Sequence, residues 1–337
     1  MIKLTPHSGM TINYHFSYAR IKNMNQKEIL ELAIKMGVKA DLRGEEAVAK
    51  YLARQKKKFD GLSAKKQADF DKERLANPYM DSGVWNDDGK PVKKAMAGID
   101  ISSGDIMLAK SLGVDTVINH HPLGKGLAML NEVMHLQADV LALCGVPINI
   151  AESLMKVRIS EVGRGVHASN SYKTIDAAKL AKVNLMNVHT PADNLVADFL
   201  KKLIDKKQPE YVGELVELIA GVEEYKESAK RGSPVKIFAG SEDRRAGKIV
   251  LTEITGGTEG AKNIYREMAN AGIGTVVAMH LSEDHRKNAE EAHLSVVVAS
   301  HIASDSLGMN LFLDELAKKG VEVIPYGGLI RIKREKK

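Results

Sequence analysis

Three short segments carry residues able to do chemistry. INHHPLG (residues 118–124) sets His120 and His121 side by side after two apolar β-formers and before a proline. VHTPADN (188–194) places His189 four residues before Asp193, and ASHIASDSLG (299–308) repeats that spacing with His301 and Asp305. His-x-x-x-Asp puts both side chains on one side of a single helical turn. Neutral imidazole binds zinc, iron, cobalt, nickel or manganese, and aspartate suits harder ions and can bridge two of them. A lone pair of histidines or a single His-x-x-x-Asp is commonly structural, because a helix start uses such residues as caps. Three such groups, each directly after an apolar run, point instead to a shared metal site built from His120, His121, His189, Asp193, His301 and Asp305. Two divalent cations held by two aspartates would keep a positive surplus and attract an anionic small-molecule substrate. Two such ions also activate water and stabilise the oxygens of a displacement.

The elements that must position these groups follow from the pattern around them. From residue 95 onward strands alternate with helices, as in KKAMAGIDIS, VDTVINHH and NLMNVHT, and later in KIVLTEITGG, GTVVAM, LSVVVASH and VEVIPY. VPINIAE (146–152) also reads as a strand. This alternation predicts an α/β fold with mostly parallel sheets covered by helices. In open sheets of this kind ligands bind at the carboxyl ends of the strands, where all three segments fall. The expected organisation is a first α/β lobe over 95–200, a polar connector over 201–246 and a second lobe over 247–337. An N-terminal helical region over 24–94 precedes them, with QKEILELAIKMG closing on Gly37. Residues 1–23 match neither period, and read as a disordered extension or the product of an upstream start.

Composition excludes several classes. No apolar run approaches the length that crosses a bilayer, and no secretory core follows the N-terminus. One cysteine, Cys144, forbids an intrachain disulfide framework and is expected as a buried small hydrophobe; together these predict a cytoplasmic protein. The formal charge of +6 is scattered in runs without interleaved aromatics, which argues for solvated faces rather than nucleic-acid binding.

Other polar residues follow apolar runs. His280 and Glu283, in AMHLSEDH, are expected as acid–base groups or as support for the ligands, although Ser282 could simply cap a helix there. TGGTEG (255–260) opens a helix after a strand but lacks a full phosphate-binding fingerprint, so it reads as a tight turn. His135 is expected as a half-buried helical histidine.

INHHPLG, VHTPADN and ASHIASDSLG, in that order, resemble the signature segments of the NIF-three-like family of dinuclear-metal proteins, also labelled GTP cyclohydrolase type-two-like. LTEITGGTEG is similar to the glycine-rich strand and turn ahead of that family's last motif. The resemblance covers roughly residues 95–337. It implies two interlinked α/β lobes, two metal ions between them and a homohexameric ring. Carried over, the ligands are His120, His121, Asp193, His301 and Asp305, with His189 a sixth and Asp193 the bridge. Two departures stand out: Asp305 occupies a place usually held by glutamate, and the lead-in before residue 95 is long, with NPYMDSG where the family's opening segment would fall. The function implied is a metal-dependent hydrolase, a phosphoesterase or GTP cyclohydrolase-like enzyme using a metal-bound hydroxide on a phosphoester or nucleotide-like substrate. The competing expectation is a metal-binding assembly or regulatory protein with little turnover.

Overall fold

The computed structural model describes residues 24–334; the reading of residues 1–23 falls outside them. Among the described residues nine strands form two sheets. They are β1 (Gly83–Asn86), β2 (Lys94–Gly98), β3 (Thr116–Asn119), β4 (Asn184–Asn187), β5 (Lys236–Ala239), β6 (Lys248–Glu253), β7 (Ile273–Ala278), β8 (Ser295–Val298) and β9 (Glu322–Tyr326). The first sheet runs β1-β4-β3-β2-β9 and the second β5-β8-β7-β6. All pairings are parallel except at one edge of each sheet, where β1 and β5 run antiparallel to their neighbours. The fold is thus the expected α/β arrangement of mostly parallel sheets under helices.

β3 and β4 are buried along their whole length, so their apolar residues, Val117–Ile118 and Leu185–Met186, stand side by side rather than alternating with exposed ones. β9 lies late in the chain yet pairs with β2, so the C-terminal stretch returns to the first sheet and interlocks the two halves. Residues 201–246 supply two short helices and β5, which borders the second sheet.

VPINIAE is a correction: it opens the helix Ile148–His167, with Pro147 as its N-cap. The helix buries Ala151, Met155 and Ile159, spaced by four residues, and this stripe extends well past the window that looked like a strand. A short apolar run does not distinguish a strand from the first turn of a buried helix. His135 is also corrected, since it stands exposed at the start of the helix His135–Leu143. Cys144 is half-buried.

Three helices frame the carboxyl ends of the strands. Gln26–Ala40 begins with a capping box between Asn25 and Glu28 and buries Ile29, Ala33, Gly37 and Ala40. It packs on Thr190–Lys207, which packs in turn on His301–Lys318. The contacts are close: a Cβ on Gly37 would meet Pro191 Cα at 2.7 Å, and one on Gly308 would meet the Ala192 carbonyl oxygen at 2.3 Å. The shared core includes Ile29, Val188, Ala192, Phe312 and Leu313, whose large side chains are each worth roughly 1.5–3 kcal/mol of burial. The helices starting at Thr190 and His301 are thereby fixed to one another, and with them Asp193 and Asp305.

Candidate metal centre

β3 extends by two residues, because the His120 and His121 amides donate to the carbonyls of Gly98 (2.9 Å) and Ile99 (3.1 Å). From the first sheet come His120 and His121 after β3, and His189 as the N-cap of Thr190–Lys207. From the second comes His301, the first residue of its helix after β8. Ser300 turns the chain there with φ 52°, a left-handed conformation unusual for a non-glycine residue. It is buried and its hydroxyl shares a 2.8 Å hydrogen bond with that of Ser228, so packing and bonding hold the turn that aims His301.

The imidazoles meet as a cluster. Ring centroids lie 5.2 Å apart for His120 and His121, 4.9 Å for His120 and His189, and 5.3 Å for His121 and His301. Three of them use Nδ1 on an oxygen of the chain: His120 on the Val188 carbonyl (2.9 Å), His121 on Asp100 (2.8 Å) and His189 on Asp81 (2.7 Å). A carbonyl or carboxylate oxygen only accepts, so Nδ1 carries a proton and it is Nε2 that faces inward, the atom left to bind a cation. That is how protein imidazoles are oriented toward metals.

The carboxylates sit among those Nε2 atoms. Asp305 Oδ1 lies 3.5 Å from His120 Nε2, and its Oδ2 lies 3.4 Å from His121 Nε2 and 3.5 Å from His301 Nε2. Asp193 stands 3.5 Å from His120 Nε2 through Oδ1 and 3.9 Å from His189 Nε2 through Oδ2. These separations are too long for good hydrogen bonds. About 3.4 Å is, however, the edge of a tetrahedron with corners about 2.1 Å from its centre, the usual metal–ligand distance. His120 Nε2, Asp193 Oδ1 and both Asp305 oxygens are buried and have no hydrogen-bond partner. Orphaned buried polar atoms are costly, and four converging from two sheets fit a cation. Two overlapping triads bring ligand atoms within 4.8 Å of one another: His120, His121 and Asp305, and His120, His189 and Asp193. The residues present therefore fit a metal.

The charges are strained without one. Burial, then the Asp305 and Asp81 carboxylates, push the Asp193 carboxyl well above its usual range. Burial also opposes charge on Asp305, but His120, His121 and His301 outweigh it and hold that carboxyl well below its usual range. Burial works against a charged His121, yet Asp100 and Asp305 raise it to about 10. Burial lowers His189 against the pull of Asp81, and lowers His301 and His280 as well.

A cavity of about 280 Å³ opens beside the cluster, lined by His121, His189, Asp193, His280 and His301 among others. His280 packs edge-on to His301 at 5.3 Å, so it reaches the cavity. Glu283 does not. It is exposed on the helix Glu283–Glu291, paired with Arg286 at 2.9 Å, and that guanidinium holds its carboxyl down at about 2. Ser282 is the cap there, accepting from the His285 amide, so the capping interpretation of AMHLSEDH describes this helix.

Asp81, Asp100 and Glu253 were not anticipated. Asp81, from NPYMDSG, is buried and also accepts from the Thr190 hydroxyl at 2.6 Å, clamping the His189 turn. Glu253 ends β6 and lines the cavity. The TGGTEG turn lines it too and is fixed by Gln137, whose amide donates to the carbonyls of Gly256 (3.1 Å) and Thr258 (2.6 Å). Gly256 has φ 89°, and a Cβ there would meet Gln137 Cγ at 2.7 Å, so the turn requires glycine.

No family model and no curated protein matches the chain. Among solved structures it is similar to the NIF3 superfamily protein from Sphaerobacter thermophilus, with 22% identity and a TM-score of 0.73 over 91% of this chain and 99% of that one. Reduced HcgD from Methanocaldococcus jannaschii aligns at 18% identity and a TM-score of 0.50, over 78% of this chain and 97% of that one. The fold is NIF-three-like, in agreement with the resemblance carried by the three histidine segments. Among the described residues no helix is long and apolar enough to cross a membrane.

Proposed function

We propose that the chain is a dinuclear metal-dependent hydrolase acting on a small anionic substrate, a phosphoester or nucleotide-like compound, as a cytoplasmic homohexamer. The observation that carries the reading is the convergence of four unpartnered buried atoms, on His120, Asp193 and Asp305, within an imidazole cluster that opens onto a cavity. His189 and Asp193 would hold one divalent ion and His121 and His301 the other, with His120 serving one of them. Asp305, with its two oxygens turned to different histidines, would help to hold the ions beside Asp193. When bound, such ions polarise water and a phosphoryl group and neutralise charge on the departing oxygen. The chain's part is to fix the imidazoles through Val188, Asp100 and Asp81, and to wall the reacting atoms from bulk water with Pro122, Leu127, Leu130 and Met279.

The test is turnover. Metal-loaded protein should hydrolyse members of a panel of phosphoesters and nucleotides. Asp305→Asn, once shown to retain metal, should lower the rate at least about tenfold, or about 1.4 kcal/mol of barrier. Inertness of the fully loaded wild type across the panel would favour a metal-binding assembly protein instead.

A further inference from the structure

Within the cavity one acidic side chain belongs to no triad. Glu253 is 6% exposed at the end of β6, and one of its oxygens accepts the Gly260 amide at 3.0 Å. Its other oxygen has no hydrogen bond among the described residues. Burying a carboxyl without full pairing is expensive, and an apolar side chain would end the strand at less cost. The cavity it lines also holds His121, His189, Asp193 and His301, with Pro122, Leu127, Leu130 and Met279 as apolar wall. Its volume of about 280 Å³ suits one small molecule.

We propose that Glu253 is the proton donor of the site, serving the leaving oxygen of a phosphoester bound between it and the histidine–aspartate cluster. This rests on the hydrolase reading above. Water oxygen forms the new bond to phosphorus while the bond to the leaving oxygen breaks, its electron pair staying on that oxygen. The Glu253 proton passes to it, the attacking water releases a proton to solvent, and solvent reprotonates Glu253. An alcohol or phenol and inorganic phosphate result. The electrostatics suit the role. Burial lifts the Glu253 carboxyl, the Gly260 amide opposes this, Glu259 adds to the rise and Arg158 reduces it, and the balance leaves it at about 7. The other titratable group turned toward it is the Tyr265 hydroxyl, which is buried without a hydrogen-bond partner and pushed up by burial and by Glu253 itself. A carboxyl half-protonated near neutrality is matched to proton transfer there.

The test compares phenyl phosphate, whose leaving phenoxide is strongly basic, with p-nitrophenyl phosphate, whose leaving group departs without a proton. Glu253→Gln preserves an acceptor for the Gly260 amide, so fold and metal content should be retained. Its kcat on phenyl phosphate should fall about a hundredfold while that on p-nitrophenyl phosphate changes less than about threefold. Equal loss on both esters overturns the donor role alone. A metal-loaded wild type inert to both sinks the hydrolase reading, and the donor role with it. A second readout is independent of turnover: in carbon-13-labelled, metal-loaded protein, one glutamate carboxyl signal absent from Glu253→Gln should titrate near neutrality and move on addition of inorganic phosphate. A Glu253 signal indifferent to phosphate overturns the placement of substrate against it.

Discussion

Nδ1 of His120, His121 and His189 is committed to chain oxygens, which leaves each Nε2 facing inward. The weakest link to replace cleanly is Asp81. Asp81→Asn keeps the shape but lets the His189 tautomer reverse, and metal affinity should fall about 10–100-fold; competition with a chromophoric chelator measures this, and an unchanged affinity would contradict the orientation argument. Protonation gives a second expectation. His121 is raised from 6.5 to about 10 by Asp100 and Asp305, so at neutral pH the metal-free chain carries a proton that a cation must displace, and Asp193 is shifted in the same direction by burial and its neighbouring carboxylates. Zinc binding at pH 7 should release at least about one proton per chain, read by calorimetry in buffers of different ionisation enthalpy. Both folded-state values lie above the unfolded ones, so their stabilisation is full below the unfolded values and is lost as pH rises through the folded ones. For His121 that window is pH 6.5 to about 10, across which the melting temperature of chelated protein should decline; a flat profile would refute the assignment. The histidine candidates could be read from sequence because each stands just after an apolar run, and the two aspartates because each stands four residues after one of those histidines. Asp81, Asp100 and Glu253 could not, because their partners are distant in sequence and only the fold joins them, and Glu283 was read into the site from adjacency alone.

The helices Thr190–Lys207 and His301–Lys318 bring Asp193 and Asp305 together by crossing closely at Gly308. Gly308→Ala would press a methyl into the Ala192 carbonyl and Val196. Overpacking of this kind costs about 1–3 kcal/mol. Because the crossing also sets the distance between the carboxylates, metal affinity should fall along with stability. Denaturant melts and metal titration together check this; a variant with unaltered metal binding would show that the crossing does not set the site. The buried parallel strands announced themselves as apolar runs ending in chemistry. The antiparallel edge strands β1 and β5 did not, since β1 is mostly half-buried and β5 largely exposed, so neither shows as a buried apolar run. VPINIAE was misread because its helical stripe becomes evident only over the following turns. That β9 rejoins the first sheet is a matter of tertiary pairing, on which local pattern is silent.

Because the candidate ligands come from both sheets, a metal bound there would clamp the whole molecule. At a free metal concentration of about a hundred times Kd, binding adds about 2.7 kcal/mol, which for a chain of this length corresponds to a rise of about 4 °C in melting temperature. Removal of metal by a chelator should reverse it. Light scattering should find six chains in the assembly, and a monomer at micromolar concentration would contradict the proposed ring. The central claim is that the cluster around His120, His121, Asp193 and Asp305 holds divalent metal, and elemental analysis of the purified protein decides it. Wild type should carry up to about two ions per chain, and the double variant His120→Ala with His121→Ala should lose most of them; the same metal content in that variant would contradict the claim.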